Sequence, residues 1–114
     1  MKKLITIALI ALPAASFASP SAELAAAVAN FCGSNAKIAV KFKTRAKEGV
    51  PFKEALDDFR LASGNLDETL TPHRRNRRAM EEVVFGDAYY KYRTFGNDAL
   101  ESLSYIQCQT MMSN

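Results

Sequence analysis

Two cysteines, Cys32 and Cys108, constrain the fold of this 114-residue chain more than any other feature of its sequence. If they pair, the bond ties together segments close to the two ends of the chain. The crosslink would stabilise the folded state by roughly 4 kcal/mol through the lost entropy of the unfolded chain. Whether the pair forms depends on the compartment, because disulfides persist in oxidising surroundings and are rare in the cytoplasm.

The N-terminus predicts export to such a compartment. Two lysines precede an apolar run over residues 4–12, and small side chains at Ser16 and Ala18 fit the pocket of a signal peptidase. The positive charges hold the start of the chain in the cytoplasm while the apolar run enters the translocon. We therefore expect residues 1–18 to be a signal peptide that is cleaved after Ala18.

Two alternatives to a cleaved signal peptide are disfavoured. An uncleaved anchor would need about 20 apolar residues to span a bilayer, and the run over residues 4–12 is much shorter. A lipoprotein would need a cysteine at the cleavage site, whereas the first one is Cys32. We expect a periplasmic or secreted protein with a Cys32–Cys108 disulfide, since no Cys-x-x-Cys spacing supports a reactive thiol pair.

Cleavage would change the charge of the protein. The full chain has 15 basic and 12 acidic residues. Lys2 and Lys3 leave with the signal peptide, so residues 19–114 have thirteen basic and twelve acidic residues and a net charge of +1. Such a balance does not indicate nucleic-acid binding. Residues 19–114 are expected to form a single domain, because no repeat or low-complexity linker divides them.

The apolar spacing in the first half of the mature chain predicts two helices. The first covers residues 21–48, starts after Ser19-Pro20 and ends at Gly49. The second covers residues 51–63. Their apolar stripes contain Leu24, Val28, Phe31, Asn35, Ile38 and Phe42 in the first helix, and Phe52, Ala55, Leu56 and Phe59 in the second.

Two more helices are predicted in the second half. Thr71 is expected to cap the third helix and Pro72 to be its first residue, with the end near Arg93. Asn97 is expected to cap the last helix, over residues 98–111. Their buried positions are expected to be Met80, Val83 or Val84, Ala88 and Tyr92, then Leu100, Leu103, Ile106 and Cys108. No segment alternates with period two, so the expected fold is all-α, a small antiparallel bundle of about four helices closed by one disulfide.

The run from His73 to Arg78 contains four arginines. Arg74, Arg77 and Arg78 share one helix face, and positive charge at a helix start opposes the macrodipole, so an anionic group is expected to neutralise it. The run either docks a carboxylate-rich or phosphate-rich partner or pairs internally, and internal pairing is favoured because most charged runs are merely a solvated face. Internal candidates are Asp57, Asp58, Asp67, Glu68, Glu81 and Glu82. The candidate partner-binding residues are Arg74, Arg75, Arg77, Arg78, Tyr89 and Tyr90.

Adjacent tyrosines and a second basic run complete the surface candidates. Tyr89, Tyr90 and Tyr92 cannot all face one core, so at least one of Tyr89 and Tyr90 is expected to be partly exposed, either for an interaction or as ordinary boundary packing. The second basic run contains Lys37, Lys41, Lys43, Arg45 and Lys47. Binding to anionic lipid headgroups is one interpretation of it, but we expect it to be ordinary surface, without stable membrane insertion.

Catalysis is not expected. The only histidine is His73, which excludes a multi-histidine metal site, and no third group is placed for a Ser-His-Asp relay. No glycine-rich loop suits a phosphate. A carboxylate pair could be drawn from Glu81, Glu82, Asp57 or Asp58, but no pocket follows from the sequence. No metal or other cofactor is expected.

Several short segments carry a family resemblance: Phe31-Cys32, residues 36–39, residues 45–51, residues 87–89 and Cys108. In these segments the chain resembles a loose group of short, exported, mostly uncharacterised proteobacterial helical proteins, with one cysteine in the first helix and one in the last. The resemblance implies the helical fold and the bridge, and it implies no activity.

Size, compartment and the arginine run together favour non-catalytic binding to a protein partner, as an inhibitor or an immunity-like protein. An acid-stress periplasmic chaperone and a small cell-wall hydrolase are the alternatives, both by analogy of size and compartment. The oligomeric state stays open.

Overall fold

The computed structural model describes the backbone of residues 4–64 and 68–113, and the side chains of residues 22–64, 69–70 and 72–113. The described residues form helices and no strand. The helices are α1 (Leu4–Lys47), α2 (Phe52–Ala62), α3 (residues 74–90) and α4 (Asn97–Met112). The predicted all-α bundle is confirmed. Among these residues, no helix is long and apolar enough to cross a membrane.

α1 begins earlier than the predicted start at Ser19-Pro20, because its backbone is helical from Leu4 onward. At 1.5 Å per residue this helix is about 66 Å long, which matches the 66 Å long axis of the molecule. The leucine, isoleucine and alanine residues of the N-terminal run are compatible with helix. Pro20 therefore lies inside a helix, where it removes one backbone hydrogen bond. Cleavage after Ala18 would move Pro20 into the first turn, where its missing N–H costs nothing.

The end of α1 and the bounds of α2 agree with the prediction to within a residue. Gly49 has a φ of +82°, a left-handed conformation that a side chain would strain. The Val50 N–H donates to the Arg45 carbonyl and the Gly49 N–H to the Ala46 carbonyl, both at 3.1 Å. These two bonds form a Schellman motif, which stops the helix and turns the chain into α2.

The start of α3 differs from the prediction. Residues Glu68–His73 form a 3₁₀ turn that contains Thr71 and Pro72, and the α-helix begins at Arg74 with His73 in the N-cap position. Thr71 is therefore not the cap. Proline fixes its own φ and is accepted in a 3₁₀ turn as well as in a first α-helical turn, so the sequence pattern did not separate the two.

α3 contains a π-helical segment, Glu81–Phe85, between the α-helical segments Arg74–Met80 and Gly86–Tyr90. Its buried residues are adjacent pairs that recur every four positions: Met80 and Glu81, Val84 and Phe85, Ala88 and Tyr89. A repeat of four exceeds the 3.6 residues of an α-helical turn, and the wider π turn keeps the pairs on one side. Phe85, which the sequence analysis did not place in the core, is thus fully buried. α3 also ends earlier than expected, at Tyr90 instead of near Arg93.

α4 has a buried stripe with a spacing of four: Leu100, Ser104, Cys108 and Met112. The predicted burial of Ile106 is wrong, because its side chain is 58% exposed on the opposite side of the helix. Asn97 does not cap α4, since its side-chain oxygen accepts a hydrogen bond from Lys43 instead.

The predicted disulfide joins α1 to α4. Cys32 and Cys108 are both fully buried, with their Cα atoms 5.5 Å apart. Farther along α1, Lys37 contacts Glu101. Residue numbers rise along α1 as they fall along α4, so these two helices are antiparallel.

An aromatic cluster fills the space between α1, α2 and α3. The Phe42 ring stacks on Phe85 with centroids 4.6 Å apart, and Phe59 meets Phe85 edge-on at 5.0 Å. Phe52 approaches Phe42 at 5.8 Å and Tyr89 at 5.5 Å. These contacts fix how α2 lies against α3, which positions the candidate site.

Candidate binding face on helix α3

The exposed residues of α3 are here called the α3 face. At its start are exposed arginines, in its middle are Ala79 and Val83, and at its end is Tyr90. The helix is about 24 Å long from residue 74 to residue 90 at 1.5 Å per residue. The α3 face consists of Arg74, Arg75, Arg78, Ala79, Glu82, Val83 and Tyr90.

One of the four arginines is used inside the fold. Glu81 is only 2% exposed, and each of its carboxylate oxygens accepts a hydrogen bond, from Arg60 Nε at 2.7 Å and from Arg77 Nε at 3.2 Å. Arg77 also donates to the Ser63 hydroxyl at 3.1 Å, and its guanidinium lies 5.9 Å from the centre of the Phe31 ring. Internal pairing is confirmed for Arg77, which joins α3 to α2.

The other three, Arg74, Arg75 and Arg78, are exposed and make no ion pair with the described residues. The acids proposed as their partners are occupied elsewhere or lie beyond the description. Asp57 pairs with Lys53 at 3.3 Å, Asp58 with Arg45 at 3.2 Å, and Glu82 lies 3.9 Å from Arg60. Asp67 and the side chain of Glu68 lie outside the described residues. The arginine run therefore divides into one structural residue and three surface residues.

Two neighbouring depressions lie along these surface arginines. One, of about 350 Å³, lies between the end of α2 and α3. The other, of about 750 Å³, lies over the 3₁₀ turn. Arg74 and Arg78 line both, whereas Arg75 lines only the second. The two shared guanidiniums thus form the ridge between the depressions.

The two adjacent tyrosines have different environments. Tyr89 is 8% exposed, and its hydroxyl donates to the Val50 carbonyl at 2.5 Å. Tyr90 is 66% exposed, with its ring 4.6 Å from that of Tyr89 and 5.6 Å from that of Phe52. The prediction that at least one of them is exposed is confirmed. Tyr89 holds the α1–α2 turn through its hydrogen bond to Val50. Tyr90 exposes its ring on the α3 face while packing against Tyr89 and Phe52.

The sequence predicts that the second basic run lies at the surface, and this prediction is wrong for Lys43. Lys43 is 8% exposed, and its ammonium group donates to the Phe95 carbonyl at 2.7 Å and to Asn97 Oδ1 at 2.8 Å. Lys43 lies on the buried side of α1, four residues after Ala39 and seven after Ala36, which are both buried. Lys43 therefore holds the loop between α3 and α4.

Arg60 and Ser63 were not among the sequence candidates, although they complete the surroundings of Glu81. The available signal was weak: an arginine near the end of a short amphipathic helix is usually solvated. Only the packing of α2 on α3 brings them to the arginine run. Within the described part of the chain, no cluster of three or more His, Cys, Asp or Glu residues could hold a metal ion.

No family model, curated protein or solved structure matches the chain.

Proposed function

We propose that this chain is an exported, non-catalytic binding protein, an inhibitor or immunity-like protein, that holds an acidic protein partner on the α3 face. The observation that carries the proposal is the set of three exposed arginines, Arg74, Arg75 and Arg78, with no ion pair to the described residues. Arg74 and Arg78 are four residues apart on one helix. Like charges at that spacing destabilise a helix by about 0.2–0.5 kcal/mol, so an external anion would relieve a real cost.

The composition of the α3 face supports a protein partner. Arginine and tyrosine are enriched in protein–protein interfaces and among the residues that dominate binding energy. Here exposed arginines and Tyr90 flank an apolar centre that includes Val83, which is 43% exposed. An average interface buries about 800 Å² on each partner, which corresponds to a patch about 28 Å across. The 24 Å length of α3 fits within one such patch.

The contacts that hold α3 and the rest of the bundle in place also favour binding. Glu81 joins α3 to α2 through Arg60, Arg77 joins the two through the Ser63 hydroxyl, and the buried Cys32–Cys108 bond ties α1 to α4. A surface held in place before binding loses less conformational entropy on association. The exposed arginines thus project from a braced helix, which suits recognition of a fixed acidic surface.

Affinity capture from periplasmic extract tests the proposal. The oxidised protein should retain a stoichiometric partner, and a triple variant with Arg74→Glu, Arg75→Glu and Arg78→Glu should lose it. Tyr90→Ala should weaken capture about tenfold or more, as removal of an interface hot spot does. The matched control makes the same charge change at exposed lysines elsewhere, Lys41→Glu, Lys47→Glu and Lys53→Glu, and should keep the partner. Undiminished capture by the arginine variant would remove the α3 face from the proposal.

Export is tested separately by intact mass spectrometry of the protein from whole cells and from periplasm. The periplasmic form should begin at Ser19 and be two hydrogens lighter than its reduced form. A protein of full length with two free thiols would contradict both export and oxidation.

A further inference from the structure

The smaller depression beside the α3 face combines side chains from two helices. Arg60, Ser63 and Gly64 contribute from α2 and the residues that follow it. Arg74, Arg77, Arg78 and Glu81 contribute from α3. A β-carbon built on Gly64 would meet no atom within 4 Å, so the α2 side of the depression is open. Its volume of about 350 Å³ is at the low end for ligand sites, with room for a side chain and not for a large ligand.

The charges in this depression are unbalanced. Four guanidinium groups line it, those of Arg60, Arg74, Arg77 and Arg78, against the single carboxylate of Glu81. Glu82 adds a second negative charge at 3.9 Å from Arg60. Both oxygens of Glu81 are already taken by Arg60 and Arg77. Among the described residues, a net charge of +2 therefore remains beside Arg74 and Arg78.

The four guanidiniums differ in how firmly they are held. Arg60 and Arg77 are fixed against Glu81 and form the floor. Arg74 and Arg78 are exposed, have no such partner among the residues whose side chains are described, and lie four residues apart on the same side of α3. Side chains at this spacing have Cβ atoms about 5–6 Å apart, so both forks can reach one anion. Guanidinium groups bind carboxylates through paired, charge-assisted hydrogen bonds.

From this geometry we propose that the depression is a socket for one aspartate or glutamate side chain of the protein partner, gripped by Arg74 and Arg78 above the Arg60–Glu81–Arg77 floor. The inference rests on the proposed function, because a carboxylate is the anion that an unmodified protein surface presents. Arg75 does not line the depression, so we expect it to make less specific contacts with the partner.

An NMR titration of the oxidised protein tests the socket. The probe is a pentaglutamate peptide, added at low ionic strength and followed by backbone amide shifts. The shifts should be largest at Ser63, Gly64, Arg74 and Arg78. Arg74→Gln with Arg78→Gln should weaken binding at least about tenfold, because two charge-assisted contacts are lost. Arg74→Lys with Arg78→Lys should weaken it less, since charge remains without the fork. The control Arg75→Gln should change binding less than twofold.

Other outcomes would overturn the socket in distinguishable ways. Equal sensitivity to Arg75→Gln, or shifts spread over Lys41 and Lys47, would reduce the depression to a diffuse positive surface and leave the proposed function intact. Equal binding of inorganic phosphate would overturn the choice of a carboxylate. If no shift occurred while capture from extract still depended on Arg75 and Tyr90, the socket would fail and the α3 face would stand. Peptide binding in the socket without any captured partner would instead remove the proposed function.

Discussion

Glu81 and Arg60 connect α3 to α2 through a 2.7 Å hydrogen bond between a nearly fully buried carboxylate and a partly buried guanidinium. Arg77 satisfies the second oxygen of Glu81. Glu81→Gln should therefore lower the free energy of unfolding by about 2–4 kcal/mol, because it leaves two guanidiniums without their counter-charge. Urea unfolding measures this loss. Glu82→Gln is the control and should change stability by less than about 0.5 kcal/mol, because that carboxylate is largely exposed. Equal effects of the two variants would contradict the bracing role of Glu81.

Removal of the disulfide should destabilise the protein more than any surface change. Cys32→Ala with Cys108→Ala opens a crosslink across 76 positions and should cost about 4 kcal/mol in the chain-entropy description. Chemical unfolding of the double variant, compared with the oxidised protein, checks the value. A difference under about 1 kcal/mol would mean that the bundle is held by its core alone.

The contrast between Lys43 and Lys41 separates a buried lysine from an exposed one on the same helix. Lys43→Met should cost about 2 kcal/mol, because the Phe95 carbonyl and the Asn97 side chain lose a charged donor. Amide hydrogen exchange should rise over residues 91–97. Lys41→Met, at an exposed position, should leave both stability and exchange unchanged. Faster exchange in both variants would argue against a specific role for Lys43.

Tyr89 and Tyr90 should respond differently to loss of the hydroxyl group. Tyr89→Phe removes the donor to the Val50 carbonyl and should lower stability by about 1 kcal/mol. Tyr90→Phe removes a hydroxyl from a largely exposed ring and should have no measurable effect on unfolding. Thermal denaturation followed by circular dichroism compares the two. A larger effect at Tyr90 would reverse the assignment of the buried ring.

Phe85 gives the sharpest test of the π-helical segment in α3. Its ring is fully buried against Phe42 and Phe59, so Phe85→Ala should cost about 3–5 kcal/mol by leaving a cavity. Val83→Ala, two residues earlier and on the exposed side, should cost less than about 1 kcal/mol. If Val83 proved the more sensitive position, the segment would have to be an ordinary α-helix with a different buried side.

Local chemistry was enough to predict several features. The Gly49 turn followed from the tolerance of glycine for positive φ, and the bounds of α2 followed from its apolar spacing. Other features escaped this reasoning: the core pattern of α3, the start and end of its α-helical part, the start of α1, the cap of α4 and the exposure of Ile106. The core pattern of α3 was missed because an α-helical period of 3.6 residues was assumed where the chain uses a wider turn. The start of its α-helix was missed because Pro72 is accepted in a 3₁₀ turn as well as in an α-helix.

The candidate site was predictable only in outline. The unusual density of arginine between residues 74 and 78 is visible in the sequence. Which of these arginines pairs inside the fold and which stay exposed is not. Arg77 pairs locally with Glu81, four residues later, but it turns inward because α2 brings Ser63 and Arg60 to the same place, and those two contacts are not local. The separation of Tyr89 from Tyr90 was foreseen as a necessity of helix geometry, without a prediction of which ring is buried.

The amino-acid sequence by itself determined the all-α class, the number of helices and the pairing of Cys32 with Cys108, because periodicity, turn residues and an even cysteine count act locally or by elimination. The tertiary structure alone decided that Lys43 and Glu81 are buried and that Arg74, Arg75 and Arg78 stay at the surface. A charged side chain can be buried only where hydrogen-bonding partners satisfy it, and here some of those partners, such as Arg60 for Glu81 and Phe95 for Lys43, are brought in from distant parts of the chain by packing.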